Sequence, residues 1–307
     1  MLLVFGSINM DFVFPLPRLP RAGDTLWSEN ARTEPGGKGA NAAVAAAQDG
    51  ASVTFVGAVG QDALAEAALA GMVKAGVTLS HVARVPADTG RASVCIDPDG
   101  YTMVAVQAGA NRAARAAQIP DSLLGPRTTV LVQLETEPAE TAALIQRAKR
   151  LGSTVILHFS PPRMIETAAL TMVDVLVGNS PELKWAGEHL GTGNNPGSLH
   201  AALGVPVVRM MGAQGAECMS PAGFRTMPAY PVHMRDTTGA GDCFSGVLAA
   251  ALSRGAKLDD AMRRASVAAA LSATGLGAQG AMPSRADIAA ALRTAPHVTD
   301  QEAELSD

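Results

Sequence analysis

The chain has 307 residues, 48% hydrophobic but only 4% aromatic, with 17% charged and a net charge of −4. That composition describes one large or two small globular domains with an aliphatic core, and it excludes a disordered chain. It also argues against nucleic-acid binding, which uses clustered Lys and Arg and stacking rings, and no run of about 18 apolar residues offers a membrane span.

The first residues lack a basic leader and read as a strand, 2–5, rather than a signal peptide. Directly after it, Asn9 and Asp11 stand two apart, on one face of an extended chain. This is the carboxyl end of a strand, where open α/β sheets bind ligands. Residues 10–35 break the rhythm with Pro15, Pro17 and Pro20. Gly36-Gly37-Lys38-Gly39-Ala40-Asn41 then enters a helix at 40–48. It is not a Walker loop, because Ala40 stands where a metal-binding Ser or Thr is needed and the spacing fails. Its amides, the Lys38 ammonium and the Asn41 amide suit a hydroxyl-rich ligand, or form a plain solvated turn.

A strand at 52–56 and a helix at 63–75 follow, then a hairpin with strands 91–96 and 101–107 around Asp97-Pro98-Asp99-Gly100. The two interruptions fit one small sheet lying as a lid over the main strands, or two separate surface excursions. Further strands are expected at 129–133, 154–159, 173–177 and 205–210, with helices at 138–151 and 181–189. Glu135 lies just past one strand. Asn179-Ser180-Pro181-Glu182 opens a helix, where Asn and Glu three apart either position magnesium waters or cap the helix. Residues 191–197 read as a linker.

Asp236-Thr237-Thr238-Gly239-Ala240-Gly241-Asp242 enters a helix at 240–253. Glycines permit a tight turn, and the first helical amides, with the helix dipole, form an anion pocket. Asp242 at its rim can take a proton from an attacking hydroxyl, or can simply stabilise the helix start. Helices at 258–274 and 284–293 follow. Between them, Gly275-Leu276-Gly277-Ala278-Gln279-Gly280 matches GxGxxG but follows a helix, which is the wrong context for a dinucleotide. The six histidines have no metal-ligand spacing, and the tail after Pro296 reads as frayed. Cys95, Cys218 and Cys243 form no CxxC pair, which points to a reducing, cytoplasmic compartment. Strands alternating with helices make a parallel sheet covered on both sides.

The Gly36–Asn41 and Asp236–Asp242 stretches, with the Asn9/Asp11 start and Asn179/Glu182, resemble the two signatures of the ribokinase family of carbohydrate kinases. The resemblance runs from Gly6 to about Leu292. It implies a three-layer α/β/α fold with a mainly parallel central sheet and a small β-sheet lid. The core would be 1–8, 36–83 and 109–296, the lid 9–35 and 84–108, and the flexible tail 297–307. It implies an ATP-dependent kinase acting on a hydroxyl of a pentose such as ribose. Alternatives are a nucleoside or other sugar kinase and a non-catalytic sugar- or nucleotide-binding homologue.

On this resemblance Asp242 is the base, and Gly239, Ala240 and Gly241 form the anion hole. Asn9, Asp11, Gly37, Lys38, Asn41 and Glu135 hold the sugar. Asn179, Glu182, Gly212 and Gly215 serve the nucleotide, with Glu182 reaching magnesium through water. Asp236, Thr238 and Gly277 fit a monovalent-cation loop, although Ala281 replaces a Ser ligand, so weak potassium activation is expected. A homodimer through the lid is implied. His158-Phe159-Ser160-Pro161 replaces the usual Asn-Pro-Ala-Pro, Gly178 a Pro, and Met210 a polar residue. These departures bear on the nucleotide side.

Overall fold

The four residues of β1 (Leu2–Phe5) divide strictly between the two faces of a ten-stranded sheet. Successive side chains of a strand point to opposite faces. Leu2 and Val4 pack with α1 (Lys38–Gln48), α2 (Ala65–Lys74), α7 (Ala240–Ser253), α8 (Leu258–Ser272) and α9 (Arg285–Ala291). Leu3 and Phe5 pack with α3 (Pro138–Arg150), α4 (Thr167–Leu170), α5 (Ser180–Leu190) and α6 (Pro196–Leu203). The result is the three-layer α/β/α arrangement that the strand–helix alternation predicts. The computed structural model describes residues 1–98 and 100–300. Asp99 of the expected turn, and residues 301–307 of the expected tail, lie outside the described residues.

Seven strands run in parallel: β11 (Val207–Met210), β10 (Val175–Asn179), β9 (Thr154–His158), β8 (Thr129–Val132), β1, β4 (Val53–Gly60) and β5 (Thr78–Val85). The near-continuous apolar runs of the other six fit burial on both faces, whereas β5, with Thr78, Ser80, His81 and Arg84, is only partly buried at the sheet edge and was not expected. β12 (Ala216–Ser220), β13 (Gly223–Met227) and β14 (Thr299–Asp300) extend the sheet in antiparallel pairing. None of these three was expected, because each is short and partly polar. The tail is therefore held by a sheet edge at 299–300. Residues 196–203, partly assigned to a linker, form α6, capped by the Asn195 side chain accepting from Ser198 N–H at 2.8 Å.

The second sheet has the order β3 (Arg32–Gly36), β2 (Asn9–Pro15), β6 (Gly90–Ile96), β7 (Thr102–Gln107). The two interruptions thus make one small sheet, joined by parallel pairing of β2 with β6. Arg84 and Val85, placed by the resemblance in this sheet, instead end β5 of the large one.

α1 and α7 are built from Ala, Gly and other small residues and lie backbone against backbone. A Cβ added at Gly246 would stand 2.2 Å from the Ala42 carbonyl oxygen, so glycine is what permits this approach. That packing sets the distance between the helix starts that carry Lys38, Asn41 and Asp242.

Candidate active site

Asp242 is only 5% exposed, in the first turn of α7. The turn before it depends on Gly239, whose φ of 75° is left-handed and favours glycine. Ala240 N–H is taken by the Thr237 carbonyl at 3.1 Å. Among the described residues the amides of Gly239, Gly241 and Asp242 have no such partner, so they remain open to an anion. The Asp242 carboxyl is pushed up to about 6, first by burial and then by Glu135 and Glu182, while Lys38 and an Asn41 hydrogen bond hold it down. Asn41 Nδ2 donates to Asp242 Oδ2 at 2.9 Å, and Gln279 Nε2 donates to Asn41 Oδ1 at 3.1 Å.

Lys38 stands between these groups. Burial would lower its pKa, but Asp242, Glu135, Glu182 and Asp11 together raise it, so it stays charged. Its backbone N–H donates to Glu135 Oε2 at 3.1 Å, and Ser7 Oγ donates to the same oxygen at 2.5 Å. Asp11 on β2 has a buried Oδ1 with no hydrogen-bond partner. Its pKa is pushed up to about 7 by burial, then by Glu135, Asp242 and Glu34, against Lys38. Asn9 is buried, with its Oδ1 accepting from Asn111 Nδ2 at 2.8 Å. Gly37 packs against Asn9, where a Cβ would meet its backbone nitrogen at 2.9 Å. The six residues expected to face a sugar thus gather between β2, the start of α1 and the end of β8. An unpartnered buried carboxylate oxygen beside them is chemically suited to accept from a ligand hydroxyl.

A cleft of about 660 Å³ opens from Asp242 and Lys38 toward Asn179, Glu182, Gly212 and Gly215. Asn179 and Glu182 form a reciprocal capping box: Glu182 N–H donates to Asn179 Oδ1 at 2.9 Å and Asn179 N–H to Glu182 Oε2 at 2.7 Å. Both readings of this pair therefore coexist, since the cap also lines the cleft. The Glu182 carboxyl is raised by burial against hydrogen bonds from Ser160 and Asn179 and the nearby Lys38. Its oxygen donors fit Mg²⁺, which keeps several waters and takes few carboxylates. His158 also lines the cleft, with Nδ1 3.8 Å from Asp242 Oδ1. Burial, then Lys38, pushes its pKa down to about 3, so the ring is neutral. Met210 stands beside Gly241, and Tyr230, Val232 and Ala269 also line the cleft.

Asp236, Thr238 and Gly277 do come together, but as partners of one another. Asp236 Oδ1 accepts from Thr238 N–H at 2.9 Å, and Oδ2 accepts from Gly277 N–H at 2.9 Å and from Arg32 Nη2 at 3.2 Å. A monovalent cation at the Asp236 carboxylate would face this guanidinium, while the Thr238 and Gly277 carbonyls, the other expected ligands, accept no hydrogen bond among the described residues. The carboxylate is already engaged at both oxygens, a guanidinium stands beside it, and Ala281 offers no side-chain oxygen.

Sequence reasoning passed over Ser7, Asn111, Gln279 and Arg32. Each acts across a long sequence separation, on Glu135, Asn9, Asn41 and Asp236 respectively. Gln279 and Gly277 belong to the GxGxxG match, whose work here is to support Asn41 and Asp236.

The comparisons agree with this geometry. The chain is 32% identical to a ribokinase of Lactococcus lactis over 293 residues, covering 94% of this chain and 96% of that one. It is 30% identical to a ribokinase of Haemophilus influenzae over 294 residues, covering 92% and 95%. The structure of Arabidopsis thaliana ribokinase complexed with ribose and ATP superposes with a TM-score of 0.84 at 29% identity, over 95% of this chain and 98% of that one. Residues 1–285 match the pfkB family carbohydrate kinases. The chain belongs to the pfkB family of carbohydrate kinases.

Proposed function

We propose that the chain is an ATP-dependent sugar kinase that transfers the γ-phosphoryl group of ATP to a hydroxyl of a pentose such as ribose. The observation that carries this reading is the buried Asp242 carboxylate. It stands at an open helix N-terminus beside Lys38 and Asn41, with its pKa pushed up to about 6. The likeness to ribokinases over most of the chain supports the pentose as acceptor.

In this reading Asp242 accepts the proton of the acceptor hydroxyl as that oxygen bonds to the γ-phosphorus and ADP leaves. Phosphoryl transfer asks little covalent chemistry of the protein and much positioning and charge stabilisation. Gly239, Ala240 and Gly241 shape the anion hole, with Lys38 adding its positive charge. Asn9, Asp11, Gly37, Asn41 and Glu135 orient the sugar, Asp11 with its unpartnered oxygen. Asn179, Glu182, Gly212 and Gly215 serve the nucleotide, and Mg²⁺ bound with ATP neutralises phosphate charge. Asn179 and Glu182 are the residues we assign to that ion, Glu182 through water.

We also assign a homodimer formed through the small sheet. Among the described residues β7 pairs on one side only, with β6, and its Met103 46%, Val104 51% and Val106 51% are exposed, a combination that invites pairing with a second copy. Light scattering on the purified chain tests this. A cytoplasmic location is part of the proposal, supported by three free cysteines. No helix among the described residues is long and apolar enough to cross a membrane.

A coupled ADP-release assay across pentoses, hexoses and nucleosides tests the activity. Turnover highest with a pentose is expected. A preference for nucleosides would overturn the substrate class. Tight sugar binding without any phosphorylated product would point to the non-catalytic alternative.

A further inference from the structure

At Asp236 the expected monovalent cation meets a guanidinium of the chain itself. Arg32 lies on β3 of the small sheet, whereas Asp236 begins the core loop that leads through Gly239 into α7. Their side chains are 29% and 9% exposed, so the pair is shielded from solvent. Arg32 Nε is held from the other side by Glu34 Oε1, which fixes the direction of the guanidinium. Glu34 in turn packs on Gly277, where an added Cβ would stand 2.2 Å from Glu34 Oε2. Strand β3 thus touches the 236–241 loop and the 275–280 loop together. Against burial, which raises it, hydrogen bonds from Thr238 and Gly277 and the Arg32 charge hold the Asp236 carboxyl below its ordinary range.

A guanidinium is charged at every working pH and presents a fixed fork of donors. Placed here it supplies a positive charge to Asp236, shared with Glu34 on its other side, without any ion from solution. Because it comes from the small sheet, that charge reaches the loop only while the sheet is docked on the core.

We propose that Arg32 is a built-in counter-cation and positioning residue. It neutralises Asp236 in place of a bound monovalent ion and couples docking of the small sheet to the order of the anion-hole loop. This rests on the kinase reading above for its catalytic consequence. Its consequence for salt-dependent stability stands independently.

The test compares wild type, R32A and D236N, using the full chain in choline, sodium or potassium chloride at equal ionic strength, about 0.1 M. Wild-type Tm and ADP-release rate are expected to be the same in all three salts. R32A should lose about tenfold in kcat, less than the roughly 10²–10³ for a donor touching the transferred group. Potassium or millimolar guanidinium should restore part of that rate and raise the Tm of R32A, and should do neither for D236N. Should R32A fail to fold, R32Q keeps the side-chain length without the charge.

A wild-type rate or Tm raised specifically by potassium overturns the proposal. So does an R32A enzyme of full activity, or one that no cation rescues in rate or Tm, since Arg32 would then be only a packing residue. If wild type turned over no sugar, the kinase reading would fail, while the salt dependence of Tm in wild type and R32A would still decide the counter-cation.

Discussion

Asn41 on α1 and Asp242 on α7, 201 positions apart in the chain, are joined by a 2.9 Å hydrogen bond from amide to carboxylate. Gln279 fixes the orientation of the amide by donating to its oxygen. N41A would strand a buried carboxylate oxygen and the Gln279 amide. The expected loss is about 1–3 kcal/mol of stability, measured by urea unfolding. The variant's pH–rate profile should also move, its acid limb lying at higher pH, because a bond that favours the ionised carboxyl is gone.

A base works only when ionised. With the Asp242 carboxyl at about 6, kcat should rise with unit slope up to about pH 6 and stay flat above. D242N should lower kcat by roughly 10²–10⁴ and abolish that limb. Stopped-time assays from pH 5 to 9 would show it, and an unchanged limb in D242N would assign the titration elsewhere.

Asp11 has a different signature. Its pKa is pushed from 3.8 up to about 7 in the folded chain, so the folded state holds this proton more tightly than the unfolded state. That contribution to stability is complete below about pH 4 and is lost as pH rises through 7. Ligand-free protein should therefore melt at a higher temperature at pH 6 than at pH 8. D11N should flatten the difference and raise KM for the sugar more than it changes kcat. Differential scanning fluorimetry with steady-state kinetics reads both.

At Gly246 a methyl group would stand 2.2 Å from the Ala42 carbonyl oxygen. G246V must push α7 off α1, which overpacking data place at about 1–3 kcal/mol. The same displacement separates Asn41 from Asp242, so kcat should fall although the substituted residue touches no substrate. Unfolding curves and single-turnover rates would separate the two effects.

Six of the seven parallel strands were legible because their apolar runs are nearly unbroken, β5 being missed because Ser80, His81 and Arg84 interrupt it, and the two glycine-rich helix starts because their turns demand glycine. β12 and β13 were not, since short strands with polar positions such as Glu217 and Arg225 carry no clear period. The union of β2 with β6 was open in the sequence because strand pairing across such a separation has no local signal. Within the site, the chemistry-bearing types Asp11, Lys38 and Asp242 announced themselves. Their supports, Ser7, Asn111 and Gln279, are ordinary polar residues whose meaning lies only in what they touch. Asp236 was noticed, but its partner is set by β3 crossing to the 236–241 loop, which no spacing rule contains.

Only Gly6, Ser7 and Ile8 separate β1 from β2, and all three are buried. Gly6 N–H is held by Val56, Ile8 N–H by Asn111, and Ser7 by both Glu135 and Gly39. This junction behaves mechanically as a short stiff beam clamped at every residue, with no slack to serve as a swivel. Any swing of the small sheet has to bend that beam, and its strain falls first on Ser7 and Glu135. Stiffness at this one point thus ties the posture of the outer sheet to a carboxylate in the interior, so leverage applied at the rim is felt at the centre.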